Sequence, residues 1–336
     1  MKLRVGLVGL GHAWEVRHRP ALRALADRFE VTAVCDQIAV RAEQAARDFG
    51  AQAIDGFRVL ANRHDVDAIL MLAPQWYGYL PILAACDAGK AVYCGISLEM
   101  GLEEARRVKQ RVEQAGVAFM SEFPRRQSPA TLRLKELIAT RLGPPRLLFC
   151  HMRRPADEAP GLTSRVSTHS SPTSDLMELV DWCCYVVGHK PTSVLGIQHS
   201  GPDGADDYQM MNLDFTQEGQ LGSGPTAQIS CGRYMPVKWQ EATAYRPPAA
   251  LQVACERGIA FIDLPTTLVW FDEAGRHQEA LDSERPVGEQ LLGQFHRSVT
   301  SLVRNTAGLD DAYRALAIVQ EARASHVQWK RVQLGL

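Results

Sequence analysis

Two glycines near the beginning of the chain have the spacing of a turn that binds phosphate groups. They belong to the segment Gly6-Leu7-Val8-Gly9-Leu10-Gly11-His12-Ala13-Trp14, where an apolar run meets a helical pattern. Gly9 permits a tight turn, and Gly11 lets the backbone approach a pyrophosphate. The amides of the following helix would then point toward the anion. Because Trp14 stands where a third glycine is usual, we expect a shifted helix start or an outward-facing indole.

Asp36 supports a dinucleotide at this turn. It closes the second predicted strand, 25 residues past Gly11, near the usual spacing of the acid that binds the ribose hydroxyls. A carboxylate there disfavours a 2′-phosphate and so favours NAD, although Arg41 is close enough to keep NADP open. The alternative is a plain tight turn, with Asp36 capping the next helix. The order of strand, glycines, helix, strand and acid favours the nucleotide.

The first part of the chain alternates apolar runs with helical patterns. Alternating strands and helices indicate βαβ units, a parallel sheet and right-handed crossovers. We therefore predict an α/β Rossmann domain that binds NAD(P) over residues 1–122. Its predicted strands are Leu3–Val8, Val31–Cys35, Ala68–Leu72, Ala91–Cys94 and Val117–Met120, and its predicted helices are Glu15–Arg28, Ala39–Phe49, Tyr79–Ala88 and Leu102–Ala115.

The pattern changes after Glu122, where strand-like runs separated by turns replace the alternation. We predict an α+β domain for substrate binding and oligomerisation over residues 123–336, with an open, mainly antiparallel sheet and helices on one face. Glu256-Arg257-Gly258 is a hairpin signal, and residues 155–173 have the composition of a loop. The predicted strands are Arg146–Cys150, Ser193–Ile197, Met210–Phe215, Thr226–Cys231, Leu251–Cys255, Ile259–Ile262 and Leu268–Phe271, and the predicted helices are Ala130–Leu142, Asp175–Val187, Glu289–Arg304 and Asp310–Ser325.

Several further segments fit one known pattern. They are Asp67–Gln75, Ala88–Cys94, Phe123–Ala130, Leu132–Ile138 and Asp175–Gly188 followed by Pro191-Thr192-Ser193-Val194. Together they resemble the glucose–fructose oxidoreductase / inositol dehydrogenase (Gfo/Idh/MocA) family over nearly the whole chain. The resemblance implies an NAD(P)-dependent oxidoreductase that acts on a sugar, a polyol or a derivative. With the glycine turn, the expected cofactor contacts are Gly9, Gly11, His12, Ala13, Asp36, Ala73, Pro74, Gln75 and Cys94.

The chain departs from this family at positions where the family carries reactive side chains. The family's Glu-Lys-Pro loop, whose lysine reaches both nicotinamide and substrate, corresponds to Gly95-Ile96-Ser97. Glu178 replaces the histidine of the active-site helix, Asp181 matches the aspartate three residues later, and Gly78 replaces another common histidine. Oxidation of a hydroxyl needs a proton acceptor beside the hydride acceptor. Ile96 cannot serve as that acceptor.

Glu178 and Asp181 are therefore the candidate catalytic residues that handle the proton. The alternative is that Glu178 is a structural carboxylate that faces Arg153 or Arg154, since carboxylates in ordinary ion pairs are common. Lys238 is the lysine we consider as a substitute for the missing one, although a surface loop is the commoner place for such a residue.

Three side chains are candidates for substrate contacts. Arg126 follows the last Rossmann strand, His169 lies in a polar loop, and Tyr77 follows the cofactor loop. The alternatives are a solvated linker arginine, an exposed histidine and ordinary aromatic packing. We predict no metal, because no histidine has the local spacing of a ligand pair.

Composition bounds the class of protein. The 336 residues are 46% hydrophobic and 22% charged, with a formal net charge of -1. This balance argues against nucleic-acid or membrane-surface binding driven by charge, and no apolar run reaches the length of a membrane span. The eight cysteines lack C-x-x-C spacing, which favours a reducing cytoplasm. The N-terminus shows no signal-peptide pattern.

Two further function classes and an assembly state follow from these observations. Loss of the usual lysine and histidines is compatible with a sensor or scaffold that binds the cofactor without redox turnover. A lyase or hydrolase that uses NAD transiently is also compatible. An open sheet has a free face that favours burial against a second copy. We therefore expect a homodimer or homotetramer that acts on a carbohydrate-like small molecule.

Overall fold

The chain forms two compact units, each built on one β-sheet. The computed structural model describes residues 1–11, 13–73, 77–95, 100–155, 172–201, 206–235, 250–263, 266–281, 285–301 and 307–335. The first unit comprises residues 1–124 and 284–316, and the second comprises residues 125–283 and 317–336.

The first unit has a six-stranded parallel sheet with the order β3-β2-β1-β4-β5-β6. The order reverses between β1 and β4, which creates a switch point where ligands bind at the carboxyl ends of strands. All four residues of β4 are buried, as its apolar run predicted. The strands are β1 (Leu3–Val8), β2 (Phe29–Cys35), β3 (Gln52–Ala53), β4 (Ala68–Met71), β5 (Ala91–Cys94) and β6 (Phe119–Ser121).

The helices between these strands confirm the predicted alternation. They are α1 (Arg19–Ala24), α2 (Ala39–Phe49), α3 (Phe57–Ala61), α4 (Leu80–Asp87) and α5 (Leu102–Ala115). α2 and α5 end at Gly50 and Gly116, which have φ angles of 66° and 62°. Glycine adopts this left-handed conformation without a Cβ penalty. The prediction missed β3 and α3, because both are short and β3 is exposed.

Trp14 is accommodated by a change in helix type. A π-helical turn covers Trp14–His18 before α1 begins at Arg19, whereas one helix over Glu15–Arg28 was predicted. Trp14 is only 4% exposed, and its ring centroid lies 5.9 Å from that of Phe49. The shifted helix start was therefore right and the outward-facing indole was wrong. Burial of the large aromatic surface favours the inward orientation.

The second unit confirms the predicted open, mainly antiparallel sheet. Its strand order is β14-β13-β12-β11-β7-β10-β9-β8-β15. β7 and β10 are parallel, and the other neighbouring pairs in this order are antiparallel. The strands are β7 (Pro145–Pro155), β8 (Ser193–Ser200), β9 (Asp206–Asp214), β10 (Thr226–Met235), β11 (Leu251–Cys255), β12 (Ile259–Asp263), β13 (Thr267–Asp272), β14 (Gly275–Ala280) and β15 (Val332–Gln333).

The turn and loop predictions for this unit differ in outcome. The hairpin between β11 and β12 forms as predicted, and the Cys255 amide donates to the Gly258 carbonyl at 2.8 Å. The predicted loop over residues 155–173 ends earlier, because the next helix already begins at Pro172. Proline suits a first helical turn, where its missing N–H has no partner to lose. Residues 156–171 lie outside the described part of the chain.

The remaining helices are α6 (Pro129–Leu137), α7 (Pro172–Val187), α8 (Val287–Thr300) and α9 (Ala307–Gln328). α6 contacts β12 and β13, and α7 contacts β7 and β10, on one face of the second sheet. α8 belongs to the first unit, where it contacts α1. Among the described residues, no helix is long and apolar enough to cross a membrane.

Candidate functional site

The glycine turn after β1 lies directly against the end of β4. Gly9 has a φ of 70°, and its amide donates to the Cys35 carbonyl at 2.8 Å. A Cβ at Gly9 would lie 2.9 Å from the Ala73 Cβ, and a Cβ at Gly11 would lie 2.5 Å from the Leu72 carbonyl oxygen. Neither position has room for a side chain. The turn therefore keeps the close backbone geometry that a pyrophosphate requires.

Asp36 holds this turn from the end of β2. Its Oδ2 accepts from the Leu10 amide at 2.6 Å, and its Oδ1 accepts from the Ile38 amide at 2.9 Å just before α2. The Arg41 guanidinium donates to the Leu10 carbonyl. Each carboxylate oxygen can accept a further hydrogen bond. Asp36 does not cap α2, because the N-cap residue is Ile38 and α2 has no side-chain cap. Its role at the ribose stays a prediction.

Three other predicted cofactor contacts lie within the described residues: Ala13, Ala73 and Cys94. Ala13 is 4% exposed, whereas Ala73 and Cys94 are fully buried. Ala73 touches the glycine turn, and the Cys94 carbonyl accepts from the Glu122 amide at 2.9 Å. These contacts come from backbone and small side chains. His12, Pro74 and Gln75 lie outside the described residues.

Tyr77 packs within the first unit. Its hydroxyl is 3.7 Å from the Cys35 sulfur at the end of β2, and its ring centroid is 5.4 Å from that of Phe57. Burial raises the pKa of the Tyr77 hydroxyl, so the group stays protonated as a donor. The substrate role of Tyr77 stays a prediction, since the contacts observed are with the core.

The two candidate catalytic carboxylates lie on α7, each opposite an arginine. Glu178 accepts from the Arg125 Nε at 2.8 Å, and Asp181 accepts from the Arg126 Nε at 2.6 Å and from a second Arg126 nitrogen. Residues three apart lie on one helix face. The Arg126 guanidinium also lies over the Tyr185 ring, 5.4 Å from its centroid. The structure thus brings Glu178, Asp181 and Arg126 together.

The local sequence explains how the arginines are placed. Arg125 and Arg126 occupy a short 3₁₀ turn, Pro124–Gln127. Ser128 then caps α6, because its hydroxyl accepts from the Thr131 amide at 3.3 Å. Glu178 forms its ion pair with Arg125, and among the described side chains the predicted Arg153 is not its partner. The Arg154 side chain lies outside the described residues. His169 and Lys238 lie outside the described residues.

The two carboxylates differ in solvent exposure. The Glu178 side chain is 20% exposed, whereas that of Asp181 is 3% exposed. Glu178 can therefore meet a solvent-borne molecule, whereas the buried Asp181 holds Arg126 through two of its nitrogens. In the described part of the chain, no group of three or more His, Cys, Asp or Glu side chains could hold a metal ion.

The sequence reasoning missed a buried group in the first unit. Glu122, directly after β6, is 2% exposed. It accepts from the Arg17 guanidinium, and its Oε2 lies 2.9 Å from the His18 Nε2. Burial raises the pKa of Glu122, but His18 and Arg17 outweigh this effect, so its pKa lies below the usual value. A charged residue at the end of a buried strand was the signal available.

Comparison with known proteins identifies the class of the first unit. Residues 3–123 match a family model described as "Oxidoreductase family, NAD-binding Rossmann fold", GFO_IDH_MocA. Residues 3–123 therefore match the Gfo/Idh/MocA oxidoreductase family, in agreement with the resemblance read from the motifs. The absence of side chains at Gly9 and Gly11, which pack closely against Leu72 and Ala73, and the carboxylate of Asp36 fit the dinucleotide that the family description names.

Individual proteins and solved structures are also similar to this chain. Inositol 2-dehydrogenase of Cereibacter sphaeroides is 31% identical over 161 residues, which cover 46% of this chain and 47% of that protein. The match thus spans about half the length of this relative. Levoglucosan dehydrogenase in complex with NADH and levoglucosan has a TM-score of 0.83 at 17% identity, with 100% of both chains covered. An NAD binding oxidoreductase from Klebsiella pneumoniae has a TM-score of 0.81 at 20% identity, again with 100% of both chains covered. At these identities the two structures show the fold.

Proposed function

We propose that this protein is an NAD(P)-dependent oxidoreductase that oxidises a hydroxyl group of a sugar, a polyol or a derivative. The observation that carries the proposal is the glycine turn, packed too closely against β4 for any side chain and joined to Asp36, in a Rossmann unit of an oxidoreductase family. The names of the relatives, inositol 2-dehydrogenase and levoglucosan dehydrogenase, support a carbohydrate-like substrate.

The bound nicotinamide supplies the hydride acceptor. The residues that would hold the dinucleotide are Gly9 and Gly11 at the pyrophosphate and Asp36 at the ribose. Their roles follow from shape and charge: the glycines admit the backbone amides to the phosphates, and the carboxylate accepts hydrogen bonds from the ribose hydroxyls.

Glu178 takes the proton that leaves the substrate hydroxyl. Loss of a hydride from carbon and a proton from oxygen leaves a carbonyl group, so the balance needs one base. The ionised carboxylate accepts that proton, and Arg125 orients it through the Nε contact. Asp181 is a positioning residue, because its buried carboxylate holds the Arg126 guanidinium on two sides. Arg126 then offers the substrate a fixed donor group.

We propose NAD as the preferred cofactor. The Asp36 carboxylate carries a negative charge at the ribose edge, and a 2′-phosphate beside it would be repelled. Arg41, the residue that kept NADP open, donates to the Leu10 carbonyl, so its cation is directed toward the glycine turn. Measured affinities for the two reduced cofactors would decide between them.

An absorbance assay with the purified full chain tests the proposed reaction. We expect NADH to form with at least one member of a polyol and sugar panel. Glu178→Gln should lower kcat by about 100- to 10,000-fold, because a placed base contributes that much. Glu136→Gln, which removes an exposed partner of Arg133 in the same unit, should leave kcat unchanged. Cofactor binding without NADH formation from any member would contradict the proposal.

Two other functions have a specific observation in their favour. Isoleucine at position 96 removes the family's lysine, and Glu178 lies in an ion pair. A sensor or scaffold would bind the cofactor without turnover, and a lyase or hydrolase would form product without net reduction of NAD. Product analysis by mass spectrometry, run beside the absorbance assay, separates all three.

We propose that the protein works in a reducing cytoplasm. All eight cysteines are free and buried. Thiols that stay unpaired in a folded protein are typical of that compartment.

A further inference from the structure

The Arg17–His18–Glu122 cluster joins two segments that lie far apart in sequence. Arg17 and His18 end the π-helical turn that follows the glycine turn, and Glu122 directly follows β6. His18 is fully buried and Glu122 is 2% exposed. Buried charged groups are costly unless their partners are well placed. Because the Glu122 carboxylate has two partners, Arg17 and His18, the cluster joins the two segments through well-defined contacts.

The hydrogen-bond pattern assigns the proton within the cluster. Glu122 binds Arg17 through Oε1 and His18 through Oε2. Because an ionised carboxylate only accepts, the His18 Nε2 carries the proton that it donates. The His18 Nδ1 is buried and has no hydrogen-bond partner in the described part of the chain. Unsatisfied buried groups of this kind are rare in native proteins and often mark function.

Gly95, the residue after β5, lies against this cluster. A Cβ there would lie 3.2 Å from the Glu122 Oε2 and 3.4 Å from the His18 Nε2. The Gly95 amide donates to the Met71 carbonyl at 2.8 Å, so this residue is also tied to the end of β4. The cluster thus occupies the space that a side chain at position 95 would need.

The position of the cluster relates it to one end of the cofactor. Asp36 lies on the β2 side of the switch point between β1 and β4, which is the side for the adenosine ribose. The other half of a dinucleotide then lies over β4, β5 and β6. Gly95 and Glu122 are at the carboxyl ends of two of these strands.

We propose that Arg17, His18 and Glu122 are positioning residues for the nicotinamide end of the cofactor. They hold the carboxyl ends of β5 and β6 against the helical turn that follows the phosphate-binding glycines. This inference rests on the proposed function, which supplies the dinucleotide. It assigns separate roles to two sets of residues. The glycines and Asp36 bind the ADP-ribose part, which NADH and ADP-ribose have in common, and the cluster positions the nicotinamide.

Binding of NADH and of ADP-ribose to the full chain tests this division without any redox turnover. ADP-ribose lacks only the nicotinamide. We expect Glu122→Gln to weaken NADH binding about tenfold or more, with a change below about twofold for ADP-ribose. Gly95→Ala should act in the same direction, because its methyl group meets Leu72 and Glu122 at 3.1 Å and 3.2 Å. This second variant keeps the charges and serves if Glu122→Gln does not fold.

Asp67→Asn is the matched control. Asp67 forms an ion pair with Arg4 at 2.6 Å in the same unit, but at the amino ends of β1 and β4. It should leave the ratio of the two affinities unchanged.

Equal weakening of both ligands by Glu122→Gln or Gly95→Ala, or no weakening of either, would overturn the inference. A wild-type protein that binds neither ligand would contradict the proposed function itself, so the two failures are distinguishable.

Discussion

Single residues in the glycine turn carry the assignment of the cofactor. Gly11→Ala would place a methyl group 2.5 Å from the Leu72 carbonyl oxygen, so the backbone must move. We expect NADH affinity to fall by about tenfold or more, because the amides leave the pyrophosphate. Fluorescence titration of NADH measures this change.

Gly50→Ala is the control for the loss of a glycine. Gly50 has a φ of 66° and no neighbouring atom near the added Cβ. This variant should lose about 1–2 kcal/mol of stability from backbone strain and keep its NADH affinity. The same loss of affinity in both variants would contradict a specific role for Gly11.

Glu122 gives a prediction for the dependence of stability on pH. Burial raises its pKa, but His18 and Arg17 lower it further, so the folded-state pKa is depressed. Such a carboxylate stabilises the fold fully above its unfolded pKa, near 4.3 for glutamate. The contribution is lost as the pH falls through the folded-state value. The difference in the free energy of unfolding between wild type and Glu122→Gln should therefore shrink below about pH 4. Urea unfolding measures it, and a difference independent of pH would contradict this assignment.

At the scale of elements, the π-helical turn accommodates Trp14 at the position where a third glycine is usual. Trp14→Gly would restore the usual third glycine, yet we expect it to destabilise the protein by about 3–5 kcal/mol, since a buried indole leaves a cavity. Val16→Ala, at an 80% exposed position of the same turn, should change stability by less than about 0.5 kcal/mol. Thermal or urea unfolding compares them. A more stable Trp14→Gly protein would show that the indole is not part of the core.

Local patterns predicted the regular elements well and the junctions poorly. Apolar runs and terminal glycines are local signals, and they correctly predicted β1, β4 and the ends of α2 and α5. The burial of Trp14 depends on Phe49, which comes from another helix. A contact of that kind has no local signature.

The candidate site shows the same division. Gly9, Gly11 and Asp36 could be found because their spacing follows from one βαβ unit. The partner of Glu178 could not, because it depends on how the turn around Arg125 lies against α7. The Arg17–His18–Glu122 cluster was missed for the same reason. Arg17 and His18 are far from Glu122 in sequence and meet it only in the folded unit.

At the scale of the whole molecule, the second sheet leaves an apolar face. Leu147, Phe149, Ile197 and Phe271 are between 39% and 46% exposed, and α6 and α7 cover the other face. Exposed apolar patches on a sheet are commonly interaction sites. We propose that this face is covered by a second copy in a homodimer or homotetramer.

Size-exclusion chromatography with light scattering tests this proposal. Phe149→Asp should shift the protein to a smaller species, because a charge would be buried without a partner. Val59→Asp, at an exposed apolar position of the first unit, should leave the mass unchanged. A monomeric wild-type protein would contradict the assembly.

Transfer of isotope from substrate to cofactor tests the central claim most directly. The full chain is incubated with NAD⁺ and a panel of polyols and sugars that carry deuterium on their carbinol carbons. We predict that deuterium accumulates in the reduced nicotinamide with at least one substrate, because the cofactor is the final hydride acceptor. Tight binding of NAD⁺ with no deuterium in the cofactor from any substrate would contradict the assignment as an oxidoreductase.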